Sequence, residues 1–538
     1  MKFFIFIFYF FFVSSCQIFN TCSSLKDTYY WRPSLHYSPP INWINDPNGL
    51  IYDSVTGLWH LFAQYNPYAE VWGSMSWSHA VSKDLIEWTE WPLAILTGAD
   101  VAIFSGSAVK DYNTSGLCVE VSPCLIAVWA GDGLGKQTIN LAYSTDSVYQ
   151  SFSKYVNNPV IDIGSDNFRD PSVFWYPTSA SSGYWVAVIA HSDQSKVEIW
   201  RADNLIQWKK VSEFGPDGNN GGWECPNMFQ INNNNTNQSQ WVLTVSVAGT
   251  PGSYWIGEFD GSTFSSNSSF HPIDVGYDWY AAISYNDAPD NRRVQIGWQS
   301  NWNYAASVPT SPWRGSYSIP RELTLHQHED GMGNKIDLIH ANPVKELYSY
   351  RKQKFGLSDP VIVSADDNSN IIRDQLKFSG GDIYEIAANL NASNCQNNCK
   401  FEFSLRLNEN TGEAFRVGLI VPADGQPLIH FMDRANSGIT NLPAPYNQSH
   451  QVPLISVKSS IDRAVPIDFH LLLDYNSVEV FVQGGLMAAS YIFFPQPFQP
   501  NYALGFNVLS GEFRVNTLDV WQYRTPQQNS IGRKTEKF

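Results

Sequence analysis

The chain has 538 residues, a formal net charge of −16 at pH 7 and only 16% charged residues, while 15% of its residues are aromatic. Its length predicts more than one domain. No run of Lys or Arg forms a phosphate-binding stripe, so nucleic acid and anionic membranes are poor partners. A neutral sugar suits the many aromatic side chains better, because it stacks on them and needs no countercharge.

Residues 1–22 are predicted to be a secretory signal peptide. Met1-Lys2 precedes the apolar run FFIFIFYFFFV (3–13), and the small residues Ser14 and Ser15 follow. The apolar run is too short to span a bilayer, and we expect no membrane partner. Sequons agree with passage through a secretory pathway and begin at Asn113, Asn234, Asn237, Asn267, Asn391 and Asn447. We therefore expect a secreted glycoprotein.

The cysteines predict two local disulfides and one free thiol. Cys118 and Cys124 bracket a short loop, as do Cys395 and Cys399, and each pair can close a disulfide in an oxidising compartment. Cys225 has no local partner and is expected to be a buried free thiol. The sequence shows neither CxxC spacing nor a His-rich cluster, so we expect neither a metal nor another cofactor.

Four segments share one plan, which is a small or aromatic entry, a polar turn centred on Asp or Asn, and a later aromatic residue. They are AVSKDLIEW (80–88), AYSTDSVYQSF (142–152), WRADNLIQW (200–208) and GEFDGSTF (257–264). Short alternating segments around them are typical of antiparallel strands. Because the plan recurs at about sixty residues, with roughly four strands to a unit, it indicates a β-propeller. We predict five blades over residues 33–342.

A second all-β unit is predicted after the repeats. Residues 343–370 lack the repeat and are expected to form a linker. Alternating segments such as FEFSLRLN (401–408) and FRVGLIV (415–421) then predict a β-sandwich over residues 371–526. Residues 527–538 form a polar tail. The predicted fold class is therefore all-β, a five-bladed propeller followed by a C-terminal β-sandwich, and the sandwich is where we expect any homo-oligomer to form.

One polar residue recurs at the same phase of each predicted blade. The five are Asp46, Ser105, Asp170, Glu224 and Tyr280. The innermost strands of a propeller surround a central channel, so the three acids are expected to converge there although they are far apart in sequence. Each acid alone has an ordinary structural interpretation. For example, NDPNG (45–49) has the composition of a hairpin turn. The shared phase is what favours a site.

Converging carboxyls suit the cleavage of a glycosidic bond, which needs one ionised nucleophile and one protonated acid. Asp46 is short, and backbone N–H groups of its turn are expected to keep it ionised, so it is the predicted nucleophile. Glu224 has a longer reach and is the predicted acid/base. Asp170 beside Arg169 is expected to stay charged and to stabilise the transition state. A separation of about 5 Å between nucleophile and acid predicts retention through a covalent intermediate.

Six motifs in order resemble glycoside hydrolase family 32, which comprises invertases, inulinases, levanases and related fructosyltransferases. They are WINDPNG (43–49), FAQYNP (62–67), WSHAVSKDLIEW (77–88), FSGS (104–107), FRDP (168–171) and WECP (223–226). The resemblance implies a five-bladed propeller, a sandwich, and retaining hydrolysis of sucrose or fructo-oligosaccharides. It implies the same catalytic roles for Asp46, Asp170 and Glu224. It also implies substrate contacts by Asn45, Gln64, Trp72, Phe104, Ser105, Arg169 and Trp313.

Other functions stay open at this point. A fructosyltransferase would use the same residues and pass the fructosyl group to a sugar. A non-catalytic sugar-binding propeller is disfavoured because all three acids are present. A sialidase-type propeller is suggested by STDSVYQSF (144–152), but that chemistry needs an arginine cluster, and only Arg169 and Arg314 fall near the expected channel.

Overall fold

The computed structural model describes residues 30–98, 101–215, 221–247, 250–366, 371–395, 397–422, 425–496 and 502–526. The predicted signal peptide (1–22) and polar tail (527–538) lie outside the described residues. In the part of the chain that is described, no helix is both long and apolar enough to cross a membrane. The described chain forms five sheets of four or five strands, followed by two sheets of seven and five strands.

The first five sheets are the blades of a propeller. Blade I contains β1 (Asn42–Asp53), β2 (Leu58–Asn66), β3 (Ser76–Ser82) and β4 (Trp88–Ile95). Blade II contains β5 (Ala102–Asp111), β6 (Cys124–Gly133), β7 (Lys136–Ser144) and β8 (Phe152–Lys154). Blade III contains β9 (Phe168–Ser179), β10 (Ser182–His191), β11 (Lys196–Ala202) and β12 (Lys209–Phe214).

Two further blades complete the ring. Blade IV contains β13 (Trp223–Asn232), β14 (Ser239–Val247), β15 (Thr250–Phe259), β16 (Phe264–Ser265) and β17 (His271–Pro272). Blade V contains β18 (Tyr280–Ser284), β19 (Arg293–Trp298), β21 (Arg321–Glu329) and β22 (Lys335–Pro343). The intervening β20 (Trp313–Arg314) pairs in parallel with the start of β1. The innermost strands β1, β5, β9, β13 and β18 contact one another in a closed ring.

Each innermost strand carries one extra residue opposite its neighbour, at the same level of the propeller. The five bulges lie between Ile44 and Pro47, Ile103 and Gly106, Arg169 and Ser172, Glu224 and Asn227, and Tyr280 and Ile283. Three bulge residues, Asp170, Cys225 and Ala281, have positive φ angles of 61°, 47° and 53°. Bulges re-aim side chains, and positive φ is strained for residues other than glycine. The repeat therefore places a specially oriented residue in every blade.

The NDPNG segment is not the hairpin turn that its composition suggests. It lies inside β1, where register shifts flank Pro47 and Asn48. Pro47 is tolerated because this part of β1 is the inner edge of its sheet, so a missing N–H breaks no ladder. Gly49 has φ of 53°, and a Cβ there would come within 2.7 Å of the Phe62 ring. Packing against β2 of the same blade thus overrides the local turn preference.

The last two sheets pack face to face as a β-sandwich. One contains β23 (Arg351–Gly356), β24 (Val361–Ser364), β25 (Tyr384–Ser393), β30 (Ile467–Asp474), β31 (Ser477–Val482), β32 (Met487–Ile492) and β34 (Glu512–Tyr523). The other contains β26 (Cys399–Leu407), β27 (Phe415–Val421), β28 (Ile429–Asp433), β29 (His450–Pro453) and β33 (Ala503–Ser510). Buried aromatic rings fill the core between them, including Phe401, Phe403, Phe469 and Phe506. The predicted all-β fold, a propeller followed by a sandwich, is confirmed.

The segment expected to be a linker over 343–370 differs from the prediction. Strands β23 and β24 both pair with β34, so residues 351–364 belong to the sandwich sheet. The long β34 offers an edge that both short strands cover, and this partner is invisible in the local sequence. Helical turns among the described residues are short, at Ser192–Gln194, Pro289–Asn291, Ala305–Ser307, Lys345–Tyr350, Ile372–Leu376 and Lys458–Ile461.

Cysteine pairing follows the prediction. Disulfides join Cys118 to Cys124 and Cys395 to Cys399. Cys225 is a buried free thiol. Both disulfides close short surface segments, whereas Cys225 lies on an innermost strand of the propeller.

A buried polar network joins the propeller to the sandwich. Arg321 Nη1 lies 2.8 Å from Asp274 Oδ2, and its Nε donates to Glu479 Oε2 at 3.0 Å. The ring nitrogens of His36 contact Glu479 Oε1 at 3.0 Å and Asp474 Oδ2 at 2.8 Å. All of these side chains are fully buried. Charged groups so far from water are tolerated only because each has a partner of opposite charge.

Candidate active site

Three carboxylates from three blades meet where the innermost strands begin, a region we call the funnel. Asp46 lies on β1, Asp170 on β9 and Glu224 on β13. The Cys225 thiol lies between the first two, with Sγ 3.5 Å from Asp46 Oδ2 and 3.7 Å from Asp170 Oδ2. The Arg169 guanidinium lies between Asp170 and Glu224 and approaches both carboxylates. The structure therefore brings all three acids together.

The Asp46 carboxylate is held by side chains on either side of it. Asn45 Nδ2 donates to Oδ1 at 3.0 Å, and Ser105 Oγ donates to Oδ2 at 2.6 Å. The Tyr317 hydroxyl donates to the Asp46 carbonyl at 3.0 Å and fixes the backbone. Burial raises the pKa of Asp46 even though the hydrogen bonds from Ser105 and Asn45 lower it. The sequence argument that turn N–H groups favour the anion is wrong, since side chains supply these donors.

Asp170 is the most deeply placed of the three acids, with 6% of its surface exposed. Its Oδ2 accepts the Cys225 backbone N–H at 3.0 Å. Burial raises the pKa of Asp170 to about 7, and the Glu224 and Asp46 carboxylates add to the rise although Arg169 lowers it. Arg169 Nε is 3.9 Å from this carboxylate, too far to offset burial. Burial therefore opposes the charged state that the sequence argument expects for Asp170.

Glu224 carries a donor on each carboxylate oxygen. Arg169 Nη2 donates to Oε1 at 2.7 Å, and the Tyr280 hydroxyl donates to Oε2. The Glu224 side chain is 26% exposed, against 7% for Asp170, so it is the more reachable from the mouth of the funnel. A phenol oxygen can also accept a hydrogen bond. The contact with Tyr280 can thus persist whether Glu224 is ionised or protonated.

Arg169 is itself fixed by polar side chains of blades II and III. Its Nη1 donates to Gln137 Oε1 at 3.2 Å, and its Nη2 donates to Ser192 Oγ at 2.8 Å. These contacts turn the guanidinium toward Glu224 rather than Asp170. Burial lowers the pKa of Arg169, but the carboxylates of Asp170 and Glu224 raise it more, so the group stays a cation. It contacts two of the three acids, Asp170 and Glu224.

Four of the remaining predicted contact residues fall into two pairs. Asn45 and Gln64 are buried. The Asn45 amide donates to Asp46, and the Gln64 amide donates to the Ile103 carbonyl at 2.9 Å. Trp72 and Phe104 form an aromatic pair with ring centroids 5.9 Å apart, and Trp72 is 50% exposed. This pair offers a surface at the rim of the funnel.

Trp313 differs from those residues because it has almost no free surface. It lies on β20 beside the start of β1 and is 1% exposed. The Arg32 guanidinium lies over its ring at 4.9 Å. The structure therefore gives Trp313 a packing environment, in place of the open face expected of a sugar contact.

A belt of Asn and Ser side chains lies directly beneath the carboxylates. These side chains make hydrogen bonds across four junctions between neighbouring innermost strands, and a backbone hydrogen bond from the Asn286 N–H to the Leu50 carbonyl closes the fifth. The contacts are Asn48–Gly106 (3.0 Å), Ser107–Pro171 (2.8 Å), Asn227–Ser172 (3.2 Å), Ser284–Asn227 (2.8 Å) and Asn286–Leu50 (2.9 Å). Because the belt closes on itself, it fixes the blades relative to one another. The separation of the three acids is thereby set by a rigid ring.

The sequence does not predict several of the contacts around the three acids. Tyr280 shares the phase of the acids, and that phase is the only sequence signal for its contact with Glu224. Cys225 is predicted only to be a free thiol. The supports of Arg169 and Asp46, which are Gln137, Ser192 and Tyr317, come from other strands and loops and carry no local signal. Within the described ranges, no three or more His, Cys, Asp or Glu side chains are arranged to hold a metal ion.

Comparisons with known proteins agree with this geometry. Residues 36–335 match the glycosyl hydrolases family 32 N-terminal domain, and residues 346–522 match the family 32 C terminal. A levanase of Bacillus subtilis is 37% identical over 520 residues, covering 93% of this chain and 72% of that protein. An extracellular exo-inulinase of Aspergillus awamori is 33% identical over 508 residues, covering 86% and 90%.

Solved structures show the same fold along nearly the whole chain. The crystal structure of exo-inulinase from Aspergillus awamori aligns with a TM-score of 0.78 at 29% identity, covering 92% of this chain and 98% of that one. A β-fructofuranosidase from Schwanniomyces occidentalis, complexed with fructosyl-erythritol, aligns with a TM-score of 0.76 at 26% identity, with the same coverage of 92% and 98%.

Proposed function

Because the chain belongs to glycosyl hydrolases family 32, we propose that it is a secreted β-fructofuranosidase acting on sucrose or short fructans. It releases terminal fructosyl residues and retains their configuration. The observation that carries the proposal is the meeting of Asp46, Asp170 and Glu224 in one funnel. Relatives named levanase, exo-inulinase and invertase support fructosides as the substrate class. The extracellular exo-inulinases support secretion.

In the first step, an Asp46 oxygen attacks the anomeric carbon of the fructosyl unit. The bond from that carbon to the leaving oxygen breaks, and Glu224 protonates the leaving oxygen, so the sugar departs neutral. The product is a fructosyl ester of Asp46. Ser105 and Asn45 keep the attacking carboxylate in one orientation before the reaction, which lowers the entropic cost of attack.

In the second step, Glu224, now ionised, takes a proton from a water molecule. The water oxygen bonds to the anomeric carbon, the ester bond breaks and the Asp46 carboxylate is regenerated. Two displacements on opposite faces retain configuration overall. Asp170, when ionised, faces the positive charge that develops on the sugar ring in both transition states. Arg169 and Tyr280 hold Glu224 through its change of protonation.

The products and their stereochemistry test the proposal. Purified protein incubated with sucrose should release glucose and fructose in equal amounts. With methanol added, the fructosyl group should be captured as the methyl β-fructofuranoside. Capture as the α-anomer would contradict a covalent intermediate on Asp46. Absence of glucose release from sucrose, and of fructose release from fructo-oligosaccharides, by folded protein would contradict the function itself.

Fructosyl transfer is a second candidate. A sugar hydroxyl would replace water in the second step, with the same residues in the same roles. The binding of fructosyl-erythritol by the Schwanniomyces enzyme favours considering it, since that molecule carries a fructosyl group on a polyol. Product analysis at high sucrose concentration separates the two candidates. Trisaccharides in excess over free fructose would favour transfer, and free fructose in excess would favour hydrolysis.

A further inference from the structure

The segment that leads into β18 lies along one edge of the sandwich. Strand β32 is the last strand of its sheet, and such an edge presents N–H and C=O groups without partners inside the sheet. Residues 274–278 cover this edge, with backbone hydrogen bonds of 2.8 and 3.1 Å to β32. The chain then enters β18 at Tyr280, whose hydroxyl contacts Glu224. The sandwich thus holds the chain two residues before a contact of the acid/base.

The fit between this segment and β32 is close. A Cβ at Gly276 would come within 2.3 Å of two backbone atoms of Ser490. The Asp274 carboxylate accepts the Ser490 N–H at 3.1 Å. The Asp278 carboxylate accepts the Ile492 N–H at 2.9 Å. Because backbone and short side chains make these contacts, the segment has little freedom to move relative to the sandwich.

Asp278 also has a charged partner, Arg434, which follows β28 in the other sheet of the sandwich. Arg434 Nη1 lies 2.8 Å from Asp278 Oδ2, and both side chains are fully buried. The Tyr304 hydroxyl donates to the other Asp278 oxygen and accepts Arg434 Nη2 at 2.9 Å. Removing one member of a buried ion pair leaves the other charge uncompensated. The position of Asp278 therefore depends on Arg434.

The backbone next to Tyr280 is strained. Ala281 lies in the β18 bulge with a φ angle of 53°. A residue other than glycine keeps such an angle only where its surroundings hold it there. On one side, Ser246 Oγ accepts the Ala281 N–H at 2.9 Å. On the other side the nearest anchor to the sandwich is Asp278. If that anchor loosens, the bulge can relax and carry the Tyr280 hydroxyl away from Glu224.

We infer that Arg434 is a positioning residue for the acid/base, since by fixing Asp278 it keeps the Tyr280 hydroxyl on Glu224. The inference rests on the proposed function, in which Glu224 donates the proton to the leaving sugar. It gives a side chain of the sandwich an effect on chemistry that takes place in the propeller. Arg434 acts through Asp278 and Tyr280, and not by contact with the substrate.

The pH profile of kcat/KM on sucrose tests this role. The Tyr280 hydroxyl donates to Glu224 and favours its anion, so loosening Tyr280 should move the alkaline limb to higher pH. Arg434→Met should move this limb by about half a pH unit and lower kcat about three- to tenfold, with KM changed less than about twofold. Arg434→Lys keeps a cation near Asp278 and should restore part of the loss. His36→Gln is the matched control, because it removes another buried interface cation and should leave the limb in place.

The variant Tyr280→Phe tests the route. It removes the hydroxyl outright, so adding Arg434→Met to it should move the limb no further. An equal further shift in that background would overturn the inference, as would an unmoved limb in Arg434→Met alone. If Arg434→Met does not fold, Tyr304→Phe takes its place, since it removes one hydroxyl from Asp278. It should move the limb in the same direction by a smaller amount, and an unmoved limb there would overturn the inference.

Infrared spectroscopy separates these results from failure of the proposed function. The spectrum of the wild type minus that of Glu224→Gln isolates the band of the protonated Glu224 carboxyl, whose titration needs no substrate. The same difference between Arg434→Met and Arg434→Met/Glu224→Gln should have a higher midpoint. A higher midpoint in a protein that releases no fructose would support the positioning role and contradict only the function. An unchanged midpoint would overturn the positioning role whatever the turnover.

Discussion

Two buried groups of acidic side chains in this protein differ in the cations that they contact. In the funnel, Arg169 approaches Asp170 and Glu224, while Asp46 is held by the neutral side chains of Asn45 and Ser105. Between the propeller and the sandwich, three carboxylates contact two cationic side chains. Arg321 contacts Asp274 and Glu479, and His36 contacts Glu479 and Asp474. Both groups join strands far apart in sequence, and both contain only ordinary residue types.

The difference appears in the direction of the pKa shifts. Burial raises the pKa of Asp170 to about 7, with Glu224 and Asp46 adding to the rise. Burial would also raise the pKa of Glu479, but Arg321 and His36 lower it to about 2. The number of cations per carboxylate thus decides whether a group of buried acids destabilises or stabilises the fold. Few cations leave a carboxyl with a raised pKa, which suits a site that transfers protons, whereas more cations stabilise an interface.

Removing an acid from the funnel should have the largest effect on activity. Asp46→Asn and Glu224→Gln should each lower kcat by roughly a thousand- to ten-thousand-fold, because one loses the nucleophile and the other the proton donor. Asp46→Asn should unfold at or above the wild-type temperature, since it removes a carboxylate whose pKa is raised by burial, and Glu224→Gln should stay folded because glutamine keeps an oxygen for Arg169. Hydrolysis of sucrose and thermal unfolding monitored by circular dichroism measure the two effects. Asp53→Asn, at the far end of β1, is the matched control for activity.

Normal turnover by Asp46→Asn or by Glu224→Gln would contradict the catalytic role assigned to that residue. If a variant loses both turnover and fold, a second measurement has to test its role. For Glu224→Gln this is cleavage of a fructoside whose leaving group needs no protonation. Rescue of kcat on that substrate, but not on sucrose, identifies a proton donor.

Removing a cation from the interface should have the next largest effect, and it should fall on stability. Arg321→Met leaves Glu479 and Asp274 buried without their guanidinium and should cost about 3 to 5 kcal/mol in the free energy of unfolding. Denaturant titration measures this loss. Lys136→Met is the matched control, because it breaks only an exposed pair with Asp162 and should cost less than about 1 kcal/mol. Equal losses in both variants would contradict the contrast between buried and exposed pairs.

The interface should also give stability a defined pH window. Burial would lower the pKa of His36, but Asp474 and Glu479 raise it to about 9, so its contribution is complete below pH 6.5 and is lost as the pH rises through 9. Glu479, with a pKa of about 2, contributes above pH 4.5 and loses its contribution as the pH falls through 2. We expect a loss of about 2 to 3 kcal/mol between pH 6.5 and 9.

Denaturant titrations at a series of pH values measure that slope. His36→Gln should lack the slope, while His271→Gln should keep it, because burial lowers the pKa of His271 and it is already neutral in this range. A wild-type slope of the opposite sign between pH 6.5 and 9 would contradict the assignment to His36.

The funnel was largely predictable from the sequence, and the interface was not. Asp46, Asp170 and Glu224 recur at one phase of a repeat, and a repeat converts distance along the chain into position in space. His36 and Glu479 belong to no repeat, and they meet only because the sandwich docks on the propeller. The pairing of β23 and β24 with β34 has the same cause. Contacts that depend on docking carry no periodic signal.

Local rules failed where tertiary structure overrode them. The composition of NDPNG favours a turn, yet the ring of blades holds it in a bulged strand. Arg169 follows the same pattern, because its neighbour in sequence is Asp170, but Gln137 and Ser192 direct it to Glu224. Sequence reasoning therefore identified which residues meet. It could not identify which atoms pair, since that depends on the register between blades.

The smallest expected effect is a gain of stability in the funnel. Asp170→Asn keeps an oxygen that can accept the Cys225 N–H. It removes a carboxyl group whose pKa is raised from 3.8 to about 7, mainly by burial. The folded wild type binds more protons than the unfolded chain between these values, so this group weakens folding as the pH rises from 4 to 7. Asp170→Asn should thus be more stable than wild type at pH 7.5 and equal to it at pH 4.

Denaturant titrations at the two pH values test this sign against a matched carboxylate on β1. Burial would raise the pKa of Asp53, but contacts with Thr56 and Lys110 lower it to about 2. Asp53→Asn should therefore lose stability at pH 7.5, opposite to Asp170→Asn. If both variants were destabilised at pH 7.5, charge repulsion in the funnel would not be stored in the folded state. The contrast with the neutralised interface would then come from hydrogen bonding rather than from the number of cations.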